Sequence, residues 1–405
     1  MMNRGWKGVG IITLVILIGL FLIPKESEAI PAFARKYGVS CAVCHRPDPP
    51  RLNTLGHRFR KYGYRMPEEL GKDPNYKEIG EYIAMRGRGR YEYEKFAKGK
   101  SATTSRFKWN DATFFYAGSM TKNLSAFFEW EWEDESEIGL NGQFSWFMGD
   151  ADRYLQLRLG QMHTLTRVGW AGFDRPTGIS TTNVLSTDID SSAVPFKINQ
   201  DQRGLEASIG VTKDARIIAQ LLNGLNFAGD GNHGSQDDDT NKDFLLAYEQ
   251  NLTERGTGFT LFGYRGVWHS GAGADDVTQY VFYRTGATGS LVFPTPFYAD
   301  LESEIQGGVM YAHDVPPSAA SVPDNVDGIA YWLGAEEWFK NNASVFGRLD
   351  FVNPDIGPDK WANKYVLGGT YHLSDYLRLA LEGFYNAKEN GTDSAGVTTE
   401  AMFNF

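Results

Sequence analysis

The chain has 405 residues, only two cysteines and a formal net charge of −10. One pair of cysteines cannot staple a chain of this size, which excludes a disulfide-built secreted scaffold. The acidic balance argues against nucleic acid as a partner and leaves cations or basic proteins. Aromatic residues make up 14% of the chain and glycine counts 45. After the N-terminus no apolar run reaches roughly 18 residues, so no helical membrane span is expected.

Arg4 and Lys7 form a short positive start, and Val9 to Ile23 is an almost unbroken apolar run. Ser27-Glu28-Ala29 then supplies a small-x-small site before Ile30. This order predicts a secretory signal peptide over residues 1–29, cleaved after Ala29. An uncleaved anchor helix is the competing reading, but the run is shorter than the roughly 20 residues a span prefers.

Cys41-Ala42-Val43-Cys44-His45 has the C-x-x-C-H spacing. Two thiols so placed add across the vinyl groups of one porphyrin, and the adjacent imidazole falls under the iron. The motif therefore predicts one covalent haem c held by Cys41, Cys44 and His45, with His45 as the proximal iron ligand. A zinc site would need further Cys or closely spaced His, and none is near. A thioredoxin-like pair would need a βαβ context, which Pro31-Ala32-Phe33 and Pro47-Asp48-Pro49-Pro50 do not supply. His57 and Met66 are the nearest candidates for the distal iron ligand. Each has a plain alternative: His57 as a solvated helix residue, Met66 as packing. A ligand from elsewhere or an open position is also allowed.

Residues 30–77 form a short helical segment of under about fifty residues, too small to bury much core unaided. Something else must cover the haem. Residues 78–405 are the candidate, because from about Glu81 the pattern has period two. Arg86, Arg88, Arg90, Glu92 and Glu94 alternate with Gly or Tyr, and Phe128 to Glu133 alternates aromatics with carboxylates. Val345 to Asp350 and Leu377 to Glu382 do much the same.

About sixteen such segments fit between Glu81 and Phe405. Short connections (Gly149 to Asp152, Lys213-Asp214, Lys340 to Asn342, Leu373 to Asp375) alternate with long ones. The long ones include His163 to Arg203, Asn223 to Lys242, His313 to Asp327 and Asn353 to Ala362. Short turns on one side, long loops on the other and a last alternating strand ending on Phe405 predict a transmembrane antiparallel β-barrel in the outer membrane, facing its lipid. A soluble sandwich would have to explain too many apolar aromatic faces.

The run Ile30-Pro31-Ala32-Phe33-Ala34-Arg35-Lys36-Tyr37-Gly38-Val39-Ser40-Cys41 continues through Arg51 to Gly56, Phe59-Arg60 and Gly63-Tyr64-Arg65. It resembles the outer-membrane fused cytochrome–porins of iron-oxidising bacteria, over about forty residues around the haem motif. That resemblance implies an Fe(II):electron-carrier oxidoreductase. Extracellular Fe(II) would be the donor and a periplasmic cytochrome or copper protein the acceptor. Two other readings stand beside it: a solute-transporting porin with an accessory haem domain, and outward electron transfer to an extracellular acceptor.

A barrel of this strand number can be plugged, and the haem segment is expected inside the lumen. Arg86, Arg88 and Arg90 should face the lumen, pairing either with haem propionates or with Glu92 and barrel carboxylates. Asp230, Asp237, Asp238, Asp239 and Asp243 in one loop, and Asp275 and Asp276 in another, are expected outside. There they would either concentrate a cation or serve as an ordinary solvated surface. The loop from His163 to Arg203 carries Trp170 and Phe173. A loop of that length can fold inward, and the sequence leaves open whether it covers the haem.

Overall fold

A computed structural model describes residues 32–47, 51–76, 78–96, 103–133, 138–163, 176, 179–182, 196–198, 201–224, 240–269, 279–296, 298–316, 325–339, 342–357, 361–389, 391 and 393–404. The expected signal peptide and its cleavage site lie outside the described residues.

Among the described residues the chain forms two short helices and sixteen strands. Helices α1 (Ala32–Tyr37) and α2 (Thr54–Lys61) come first, with 3-10 turns at Cys41–Val43, Pro67–Glu69 and Ile79–Glu81. The first eight strands are β1 (Ile83–Phe96), β2 (Thr103–Ser119), β3 (Leu124–Glu133), β4 (Ile138–Gly149), β5 (Tyr154–His163), β6 (Asp201–Thr212), β7 (Ala215–Leu222) and β8 (Asp243–Asn251). The rest are β9 (Gly258–His269), β10 (Gln279–Thr295), β11 (Tyr298–Val315), β12 (Val326–Phe339), β13 (Ala343–Asn353), β14 (Ala362–Ser374), β15 (Leu377–Lys388) and β16 (Ser394–Asn404). Every strand pairs with its sequence neighbours, and β1 closes on β16 with Arg90 opposite Glu400, giving one closed antiparallel barrel.

The period-two pattern is what closes it. In β3, Trp130 and Trp132 face out while Glu129 is buried in the lumen. In β15, Leu381 faces out while Arg378 and Glu382 are buried. Leucines such as Leu159, Leu205, Leu246 and Leu333 make an outward apolar band. Outward Tyr and Trp flank it toward both ends, including Tyr311, Tyr331 and Tyr365 at one rim and Trp146 and Tyr371 at the other. This is the exterior of a transmembrane barrel. Connections on the side from which the chain enters β1 are short, such as 150–153, 213–214 and 375–376. Those on the opposite side reach 164–200 and 223–242.

The residues before β1 occupy the short-turn mouth. Tyr62 Oη donates to Ala151 O at 3.1 Å, and Arg65 Nη2 donates to Thr121 O at 2.6 Å and Leu124 O at 2.9 Å. Arg58 pairs with Asp214 at 2.7 Å and Glu254 at 2.8 Å. The buried ammonium of Lys61 reaches Glu249 of β8 inside the wall. From the other end, the described parts of the long β5–β6 connection also enter the lumen. Phe196 and Ile198 are buried against Ile218, Tyr264, Phe282 and Trp332. Arg348 of β13 donates to Ser180 O at 3.0 Å, and Arg90 to Ile179 O at 3.4 Å. Trp170 and Phe173 lie outside the described residues.

Candidate functional site

The C-x-x-C-H turn is built from local bonds that leave its side chains together. Ser40 is extended and starts the 3-10 turn, with Cys44 N donating to Cys41 O at 3.1 Å and His45 N to the same oxygen at 2.9 Å. Helix α2 is sewn to this turn. Asn53 caps the helix by accepting from Gly56 N at 3.0 Å, and its Nδ2 donates to Val43 O at 2.9 Å. Asn53 N donates to Cys44 O at 2.9 Å. Gly56 packs so closely that a Cβ there would collide with the Cys44 carbonyl oxygen.

Both cysteines are free, and burial pushes each thiol up to about 11. Cys41 Sγ lies 3.7 Å from Asp375 O in the β14–β15 turn, so the motif sits at the barrel rim. The adjoining Pro47 O accepts from Thr370 Oγ1 at 3.0 Å and from His372 Nε2 at 2.9 Å, both on β14. His45 Nδ1 lies 3.2 Å from Arg51 O, and desolvation lowers the imidazole to about 4, which keeps it neutral. A neutral ring whose Nδ1–H is held by a carbonyl leaves Nε2 to serve as an iron ligand, the usual arrangement of a metal-bound histidine. Two free thiols three residues apart followed by such an imidazole fit a covalently attached haem in the chemistry of the donor set.

The two distal candidates lie on different sides of α2. His57 is buried and shares its face with Lys61, toward Glu249 and Arg216 of the wall. Met66 packs into the cluster of Phe33, Tyr37, Phe59 and Tyr64, where Phe33 and Phe59 meet edge to face at 4.7 Å. Tyr37 Oη donates to Glu69 at 2.5 Å, and Glu69 accepts from Met66 N at 2.8 Å.

The three arginines of β1 face inward as expected and meet barrel carboxylates. Arg86 pairs with Asp111 at 3.2 Å and Glu131 at 3.0 Å, Arg88 with Asp111, and Arg90 with Glu400 at 2.6 Å. Glu92 is not among their partners; it pairs with Arg106 at 2.9 Å. Asp111 carried no signal in the sequence, because a bulge at Asn110 separates it from outward Trp109.

Asp243 corrects the reading of it as an exposed loop carboxylate. It is the first residue of β8, 1% exposed, and accepts from Tyr264 Oη at 2.5 Å and Val267 N at 3.0 Å. Fully engaged by these donors, it cannot gather cations from outside. Asp230, Asp237, Asp238, Asp239, Asp275 and Asp276 lie outside the described residues.

Comparison with solved structures settles the architecture. An anion-selective porin from Comamonas acidovorans superposes with a TM-score of 0.56 at 10% identity, covering 80% of this chain and 98% of that one. The barrel has the porin fold. The outer membrane channel DcaP of Acinetobacter baumannii gives 0.53 at 10% identity, over 80% and 96% of the two chains. Pseudomonas putida OprB gives 0.52 at 9% identity, over 80% and 94%. No family model and no curated protein matches the sequence.

Proposed function

We propose that the chain is an outer-membrane electron-transfer protein that carries one haem c on Cys41 and Cys44, with His45 as proximal ligand. Extracellular Fe(II) is its donor and a periplasmic cytochrome or copper protein its acceptor. The observation that carries this reading is His45 Nδ1 held by Arg51 O beside two free thiols, at the mouth of a porin-fold barrel. When bound, the haem supplies a one-electron couple, so each Fe(II) leaves as Fe(III) and the carrier gains one electron.

The chain's own residues hold that group and limit its contact with water. Cys41 and Cys44 tether it, while α2 braces the turn through Asn53 and Gly56. The aromatic cluster around Phe59, which includes Met66, would wall the group on one side of α2, while His57 is buried on the other. The short-turn mouth, lined by the N-terminal segment, is read as periplasmic, because short turns lie on that side in outer-membrane barrels. A solute-transporting porin is disfavoured because the N-terminal segment stands at one mouth and described parts of the β5–β6 connection enter the lumen from the other.

Mixing the oxidised, purified protein with Fe(II) tests the direction of flow. The expected result is a haem spectrum that turns to the reduced form within the mixing experiment. A spectrum that Fe(II) leaves oxidised, while an extracellular oxidant reoxidises the reduced protein, would favour outward transfer instead.

A further inference from the structure

One residue, Arg51, reaches the expected iron ligand, the barrel wall and the inward connection at once. Arg51 is 6% exposed. Its carbonyl oxygen accepts from Arg46 N at 3.1 Å and lies 3.2 Å from His45 Nδ1. Its guanidinium runs the other way, into the lumen. Nη1 donates to Glu336 of β12 at 2.7 Å, and Nη2 pairs with Glu304 of β11. These two carboxylates stand directly opposite each other in the β11–β12 register, and both are buried. Nη1 also donates to Pro176 O at 3.2 Å, an oxygen that Gln306 Nε2 of β11 reaches at 2.9 Å.

We propose that Arg51 is a positioning residue that fixes the His45 imidazole by clamping its own carbonyl between the barrel wall and the inward connection. The inference rests on the reading of His45 as an iron ligand and adds what orients it. An imidazole that donates Nδ1–H to a fixed carbonyl is a more basic ligand, and a more basic ligand stabilises Fe(III) over Fe(II). The wall carboxylates therefore hold the haem potential down without touching the iron. Pro176 O shares the same guanidinium.

The test uses the full-length, haem-loaded protein in detergent. Glu304→Gln with Glu336→Gln removes the clamp and leaves residue 51 and its carbonyl in the chain. Arg51→Met removes the same clamp from the other side, and Arg51→Lys restores the charge. Haem is first confirmed by its pyridine haemochrome, and the potential is then read by spectroelectrochemistry, with the ferric electron-spin spectrum as a second readout. In both clamp-loss proteins the reduced-to-oxidised ratio at fixed ambient potential should rise about tenfold, roughly 59 mV for one electron. Arg51→Lys should recover part of the shift. If Arg51→Met does not fold, the glutamine pair alone decides. Wild-type potential and ferric spectrum in folded clamp-loss proteins would overturn this inference alone. A wild-type protein with no haemochrome would overturn the haem reading beneath it as well.

Discussion

Gly56 illustrates how closely the expected haem turn is packed, since any Cβ meets the Cys44 carbonyl oxygen. Backbone cannot yield as a flexible side chain can, so Gly56→Ala should destabilise the segment by about 1–3 kcal/mol. The check is haem content and protease resistance of the N-terminal segment beside wild type. Lys61 makes a pH-dependent prediction. Burial, with Arg216 and Arg60 nearby, outweighs the attraction of Glu249 and lowers its ammonium to about 8. A lysine whose folded value lies below its unfolded one binds fewer protons when folded. Stability therefore rises as pH climbs from about 8 to about 10.5. The melting temperature of wild type relative to Lys61→Met should increase across that window, and a flat difference would refute the assignment. At this scale the C-x-x-C-H motif was legible because its chemistry is local. Arg51 was not, because its carboxylate partners lie 253 and 285 residues away in sequence.

Strand β2 carries the clearest lesson about elements. Trp109 and Asp111 have the same parity, yet Trp109 is 51% exposed and Asp111 fully buried. The bulge between them reverses the faces, so that Asp111 can balance Arg86 and Arg88 while Trp109 covers Gly87 on the outside. Deleting Asn110 would take out the extra residue and leave Trp109 next to Asp111 in plain alternation, with Phe107 and Trp109 still outward and Arg106, Lys108 and Asp111 still on the opposite face. Folded barrel, read from heat-modifiable migration on gels, should be retained. Loss of the heat-modifiable form would mean that Asn110 does more than offset the two halves of the strand. Most strands were legible without this knowledge, because runs such as Arg86 to Glu94 and Phe128 to Glu133 alternate without interruption. The edge of β8 was not, since Asp237, Asp238 and Asp239 made Asp243 look like more of the same loop. Its register opposite Leu222 of β7, with its partners Tyr264 and Val267 of β9, assigns it to the strand.

On the scale of the whole molecule, the barrel and the N-terminal segment complete each other. The barrel gains a stopper for its short-turn mouth, and a segment too small to shelter a cofactor gains walls. Arg51 joins that segment to the connection entering from the long-loop side, so the two segments within the barrel meet at one guanidinium. In planar bilayers the intact protein should show no sustained conductance to small ions. Removing residues 32–76 should open one, and steady conductance in the intact barrel would contradict a stoppered mouth. The sixteen-strand count, the lumen-facing arginines and the alternation of loop lengths were legible as pattern. The place of the N-terminal segment within the barrel was legible too, but the inward course of the β5–β6 connection was left open, because contacts such as Arg348 with Ser180 join positions 168 residues apart.

The most direct test places the haem-loaded protein in liposomes that enclose an oxidised acceptor cytochrome, with Fe(II) supplied outside only. The entrapped cytochrome should become reduced while an enclosed small dye stays inside. The Cys41→Ser, Cys44→Ser double variant, folded but without haem, should leave it oxidised. Reduction at the same rate in that variant, or none in a wild-type protein with its haem confirmed, would contradict electron transfer through this barrel.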